Sequence, residues 1–178
     1  MTGVFSLILL LGSGLELRAQ ASVFDEYQVK AAFLYNFAKF VEWPSDSFAT
    51  PSEPIGICIV GQNPFGSALE NMVQGKKIGD RAFAVRRVPD PLQADKCQIL
   101  FIASSEWKRT RAILAALRRA DILTVGETDD FTAAGGVIGF KLDGPRVRIQ
   151  IALETAVQHR LRISSKLLSL AEIVRRQP

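Results

Sequence analysis

The chain has 178 residues, 48% of them hydrophobic and 22% charged, a length that suits about one domain and a composition that excludes disordered and collagen-like classes. Its formal net charge of +4 comes without an aromatic-and-basic recognition motif, so nothing argues for nucleic acid. A single histidine and two cysteines rule out a multi-histidine metal cage.

Val4 to Leu11 is an apolar run too short to cross a bilayer, and Gly12-Ser13-Gly14 and then Ala19-Gln20-Ala21 follow it. The pattern predicts a secretory signal over residues 1–21, cleaved after Ala21, and a single domain over residues 22–178. No Lys or Arg precedes the apolar run, and an uncleaved interfacial anchor is the alternative. Cleavage would remove Glu16 and Arg18, one charge of each sign, and leave the net charge unchanged.

Tyr27 to Pro44 predicts a helix with an unusual excess of apolar surface. At about 100° per residue, Lys30, Asn36 and Lys39 point in three separate directions, so no wide solvated stripe exists. Phe33, Phe37, Phe40 and Val41 make a core-facing stripe. Leu34, Tyr35 and Ala38 fall outside it and need a second neighbour, either another layer of the same domain or a partner chain. They are the candidate partner or dimer surface.

Past the Ser/Pro-rich loop that ends at Pro54, Ile55 to Val60 is a fully apolar strand, and Pro64 opens a short helix. Ala82 to Val88 reads as a half-buried strand bounded by Pro89, and Cys97 to Ala103 as a second apolar strand. Ser104 and Ser105 suit the N-cap of a helix reaching about Ala120, with Lys108, Arg111, Arg118 and Arg119 on one face. That face is either simply solvated or docks on anionic lipid or an acidic partner. Ile122 to Val125 is a short strand, and Asp129-Asp130-Phe131 leads a helical turn that ends at Gly135-Gly136. Val137 to Leu142 and Arg146 to Ile151 flank Asp143-Gly144-Pro145, the pattern of an antiparallel hairpin. Leu153 to Arg160 and Ile163 to Arg175 read as closing helices. Strands alternating with helices predict an α/β fold, a mainly parallel sheet covered on both faces and finished by the hairpin.

Cys58 and Cys97 each lie in an apolar strand. If those strands are neighbours in an oxidising compartment, a disulfide follows; otherwise the two are separate buried thiols.

The loop Gly61-Gln62-Asn63-Pro64-Phe65-Gly66 stands at the carboxyl end of a strand, where open α/β sheets bind ligands. Gly61, Gln62, Asn63 and Gly66 are therefore a candidate ligand loop, although neither the dinucleotide fingerprint nor a P-loop lysine is present. Ser104, Ser105 and His159 have no nucleophile elbow around them, and Asp129 and Asp130 suit a helix first turn better than an acid and base pair. No catalytic residue, cofactor or metal ligand is assigned.

The chain resembles the YfiR/HmsC family of bacterial periplasmic proteins. The likeness rests on Lys30-Ala-Ala-Phe-Leu-Tyr-Asn-Phe-Ala-Lys-Phe-Val-Glu-Trp-Pro44, Ile57-Cys-Ile-Val-Gly61 with Pro64-Phe65-Gly66, Cys97-Gln-Ile-Leu-Phe-Ile102, Gly136-Val-Ile-Gly-Phe140 and Leu161-Arg-Ile-Ser-Ser-Lys-Leu-Leu168. These blocks stand in the family's order from about Tyr27 to Val174. The chain departs from the family at Ala152, where members commonly carry asparagine, and it lacks a second family cysteine pair. The resemblance implies a Rossmann-like fold, a Cys58–Cys97 disulfide, and a periplasmic, non-enzymatic and often dimeric regulator. The implied partner is the periplasmic sensor domain of a membrane diguanylate cyclase or, in other systems, a sensor kinase. The resemblance further implies an outer-membrane lipoprotein that relieves the inhibition, with cyclic-di-GMP signalling and biofilm formation as the outputs. A periplasmic small-molecule receptor is the alternative.

Overall fold

Ile55–Val60 carries no polar side chain on either face, and all six residues are buried. Such a run is stable only inside a sheet covered from both sides. The computed structural model describes the backbone of residues 13–117 and 120–175, and the side chains from residue 26 onward within those spans. In chain order the elements are α1 (Ser13–Phe40), β1 (Val41–Glu42), β2 (Ile55–Val60), α2 (Ala68–Val73), β3 (Lys77–Ile78), β4 (Arg81–Arg87), β5 (Ile99–Ile102), α3 (Thr110–Ala116), β6 (Leu123–Gly126), β7 (Ile138–Asp143), β8 (Arg146–Ala152), α4 (Leu153–Gln158), β9 (Arg162–Ile163), α5 (Ser165–Leu168) and β10 (Glu172–Val174).

Eight strands form one sheet in the order β10-β8-β7-β6-β5-β2-β4-β3, and β1 pairs separately with β9. From β4 to β7 every neighbour is parallel. β8 then returns antiparallel to β7, as the Asp-Gly-Pro turn predicts. The α/β fold with its C-terminal antiparallel pair is thus as the sequence pattern indicates.

The two-residue period of a strand sends alternate side chains to opposite faces. Ile57, Ile59, Ile99, Phe101, Leu123, Val125, Ile138 and Phe140 face a core shared with Leu34 and Phe37 of α1. Cys58, Val60, Leu100 and Ile102 face the other way, toward Ala94, Ile113 of α3 and Phe131. Phe131 fits there because two glycines flank it: a Cβ at Gly126 would lie 2.2 Å from its ring, and one at Gly136 would lie 2.0 Å away.

Three expectations need correction. Leu34 is fully buried and Ala38 is 4% exposed, so neither belongs to a partner surface. Their second neighbour is within the domain, because α2 and the β4 edge cover that side of α1: half-buried Tyr35 packs on Phe83 with ring centroids 5.5 Å apart, and Lys76 Nζ lies 4.5 Å over the Tyr35 ring. The helix expected to run to about Ala120 is a turn at Ser104–Glu106 followed by α3, which stops at Ala116. Its Arg118 and Arg119 lie outside the described residues. The helix expected over Ile163 to Arg175 is β9, α5 and β10 instead. Ser164 interrupts it by capping α5, its hydroxyl accepting from Leu167 N at 3.3 Å. Glu172 then accepts from Gln150 Nε2 at 2.8 Å, which fixes β10 beside β8.

Candidate functional site at the carboxyl ends of the strands

The chain leaves β2 for β4 on one side and returns to β5 on the other. This reversal places a topological switch point between β2 and β5, flanked by the Gly61–Gly66 loop and by Ser104–Glu106. In α/β sheets that crevice is the usual ligand site. Here the protein's own groups fill it. Gly61, at φ 92°, lets the loop approach so closely that a Cβ would sit 2.5 Å from Ser105 Oγ. Gln62 N donates to Ser105 Oγ at 2.9 Å. Asn63 Oδ1 accepts from Phe65 N at 2.9 Å, and its Nδ2 donates to the Gly66 carbonyl at 3.2 Å. Phe65, 3% exposed, plugs the space beneath, its ring 4.8 Å from that of Phe101 and 5.5 Å from that of Tyr27. The four loop residues are therefore together, as a self-bonded turn. Ser105 is a tie across the crevice, and Ala103, not a serine, is the residue at the cap position.

One strand further along, a polar cluster joins α1 to the end of β6. Lys30, only 3% exposed, donates to Glu127 Oε2 at 2.7 Å and is paired with Glu26. Tyr27 OH donates to the same Glu127 oxygen at 3.1 Å, and Ser104 N donates to the other at 2.9 Å. The Lys30 ammonium also lies 4.5 Å from the centre of the Tyr27 ring, a placement that adds cation–π attraction. Burial first, and then the Glu127 charge, raise the Tyr27 hydroxyl well above its usual value of 10, so it stays a donor at any ordinary pH. A cleft of about 250 Å³ opens beside the cluster, lined among others by Glu26, Asp129 and Lys141. Both Glu127 oxygens are occupied and Lys30 is held between two carboxylates. The arrangement fixes α1 on the sheet rather than presenting a base or nucleophile.

Helical spacing marks Lys30 only as one polar point on a helix, and nothing local in the sequence singles out Glu127. A signal existed: a charged residue that helical spacing places among apolar neighbours demands an opposite charge from elsewhere in the fold.

Cys58 of β2 and Cys97 at the entry to β5 form a disulfide with Cα atoms 5.7 Å apart, and both half-cystines are buried. His159 follows α4, near the carbonyls of Ala120 and Ile122 and so by the amino end of β6. Ser104 stands at the carboxyl end of the sheet, so the two cannot form a nucleophile and base pair. Burial lowers the His159 pKa below 6.5, although those carbonyls and Asp121 oppose the shift. Among the described residues no three His, Cys, Asp or Glu side chains gather to hold a metal ion, and no helix is long and apolar enough to cross a membrane.

The architecture is thus an α/β domain of the doubly wound kind whose switch-point crevice is sealed by its own loops. The model of the family described as YfiR/HmsC-like matches residues 27–172, from Tyr27 of the buried cluster to Glu172 of the edge strand. The chain belongs to that family. No curated protein matches it. Among solved structures, a conserved domain protein from Vibrio cholerae O1 biovar El Tor is similar with a TM-score of 0.56 at 9% identity, over 83% of this chain and 59% of the other. The ABC domain from Streptococcus pneumonia, solved with L-Trp, is similar with a TM-score of 0.52 at 8% identity, over 67% of this chain and 55% of that one. The chain therefore spans little more than half the length of either, and the likeness is one of fold.

Proposed function

We propose that this chain is a periplasmic, non-enzymatic regulator that binds the periplasmic sensor domain of a membrane diguanylate cyclase and holds the enzyme off. The observation that carries this reading is the family match over residues 27–172. The geometry supports it in a second way: at the strand ends where an α/β enzyme keeps its reacting groups, Ser105, Asn63 and Glu127 are engaged with the protein itself. A regulator needs differential affinity for two states of its target rather than catalytic groups. An outer-membrane lipoprotein that competes for the regulator would release the cyclase, and the homodimer and the signal cleaved after Ala21 belong to the same reading. The docking surface must exclude Leu34 and Ala38, which lie inside the domain.

The test is reconstitution of the protein with membranes containing a diguanylate cyclase encoded beside it, with cyclic-di-GMP formation as the readout. The expected result is a dose-dependent fall in product that is reversed by the lipoprotein. Unchanged product at saturating protein, with no complex on crosslinking, overturns the proposal.

A further inference from the structure

Three consecutive residues, Trp107, Lys108 and Arg109, stand exposed where the Ser104–Glu106 turn runs into α3. Trp107 is 64% exposed, which is unusual for a side chain whose burial would contribute more than almost any other. Lys108 Nζ lies 5.1 Å from the centre of the indole. The Arg109 side chain is 65% exposed and touches Glu106 at 3.2 Å, a surface pair that holds it only weakly. Trp107 has right-handed helical backbone, and Arg111 lies in the first turn of α3, which follows. Arg111, Ala112 and Ala115 are all exposed, while Thr110 and Ile113 turn inward. Leu92, 40% exposed, stands on the Pro91–Lys96 turn, which packs against α3. The loop after β6 shares a cleft with α3, lined by Arg111 and Thr132, and it carries the exposed Asp129 and Asp130.

We propose that this patch rests on the surface of an anionic phospholipid bilayer, with the Trp107 ring at the headgroup level and Lys108, Arg109 and Arg111 against lipid phosphates. An indole flanked by long cationic side chains is the composition that suits a membrane interface, apolar body inward and charges at the boundary. A specific protein interface buries on the order of 800 Å² per partner around packed anchors. Here a single aromatic ring and loosely held cations offer no such centre. Fluid headgroups need no fixed geometry and match the charge.

The test compares sedimentation of the protein with vesicles of phosphatidylcholine alone and vesicles that also contain phosphatidylglycerol, at low and high salt. Substituted proteins are prepared identically, so that any contribution from the segment before Tyr27 is common to all. The expected result is binding to the anionic vesicles, screened by salt, with a blue shift of indole emission. Partitioning should fall about fivefold for each cation removed and on the order of a hundredfold for Lys108→Ala/Arg109→Ala/Arg111→Ala. Trp107→Ala should abolish the blue shift, since half-buried Trp43 lies outside the patch; far-UV circular dichroism of each variant checks folding. Equal partitioning into both vesicles, or no change on substitution, overturns the proposal. So does loss of an acidic protein partner from these variants when the intact protein ignores vesicles.

Discussion

Replacing Lys30 by methionine would remove, among the described residues, the cation that touches a nearly buried carboxylate. Glu127 has a side chain 4% exposed, like that of Lys30, so water replaces little of what is lost. Breaking a buried pair from one side costs about 3–5 kcal/mol, because the remaining charge is left uncompensated. The lower end applies here, since Tyr27 OH and Ser104 N still donate to Glu127. Even about 3 kcal/mol is a large share of the 5–15 kcal/mol by which a domain is usually stable, as a rough range. Glu127→Gln should cost less, because Lys30 keeps Glu26, whose side chain is 20% exposed. The double variant should therefore be more stable than the two single losses predict, with a coupling of about 2 kcal/mol. Urea unfolding followed by tryptophan emission, under oxidising conditions and extrapolated linearly, measures all four corners of the cycle. Two single losses below about 0.5 kcal/mol that simply add would refute the argument, since a cluster that fixes α1 cannot behave like a surface ion pair.

Cys58→Ser should lower the melting temperature markedly in oxidising buffer and hardly at all in reductant, because closing a loop with a sequence separation of 39 stabilises by up to about 4 kcal/mol in the chain-entropy model. Equal losses in both buffers would assign the effect to packing around the sulfur. For His159 the folded pKa is depressed below 6.5, mainly by burial, so the unfolded chain takes up the proton first. Stability should be level above that value and fall as the pH drops below it, and His159→Gln should flatten the fall. Urea midpoints from about pH 8 to about pH 5 measure this, and parallel profiles for the two proteins would exclude the histidine as the cause.

Where one rule decides the conformation, the sequence was readable. Ile55–Val60 and Cys97–Ile102 could only be covered strands, and Asp143-Gly144-Pro145 could only turn a hairpin. The tail was misread because Ile163, Leu167, Leu170 and Val174 satisfy helical spacing; what defeats it is long-range, the pairing of Glu172 with Gln150. The apolar excess of α1 was legible, but not its destination. Periodicity says that Leu34 and Ala38 need cover and is silent on whether α2 or another chain supplies it. The Lys30–Glu127 pair, separated by 97 positions, leaves only half a signal at each end. The Gly61–Gly66 loop follows β2 as the strand pattern indicates, yet Ser105, which closes it, carries in the sequence only the signal of an ordinary cap.

Both margins of the large sheet are very short: β3 has two residues and begins with Lys77, and β10 has three. Such stubs are poor templates for adding a strand from a neighbouring molecule. They leave the outer edges of β4 beyond Ala82 and of β8 before Gln150 without a strand partner among the described residues, and there the exposed Arg86, Arg87, Arg146 and Arg148 set charge against an added strand. Edge-to-edge growth into polymers or fibrils is thereby opposed by charge as well as by the shortness of the marginal strands.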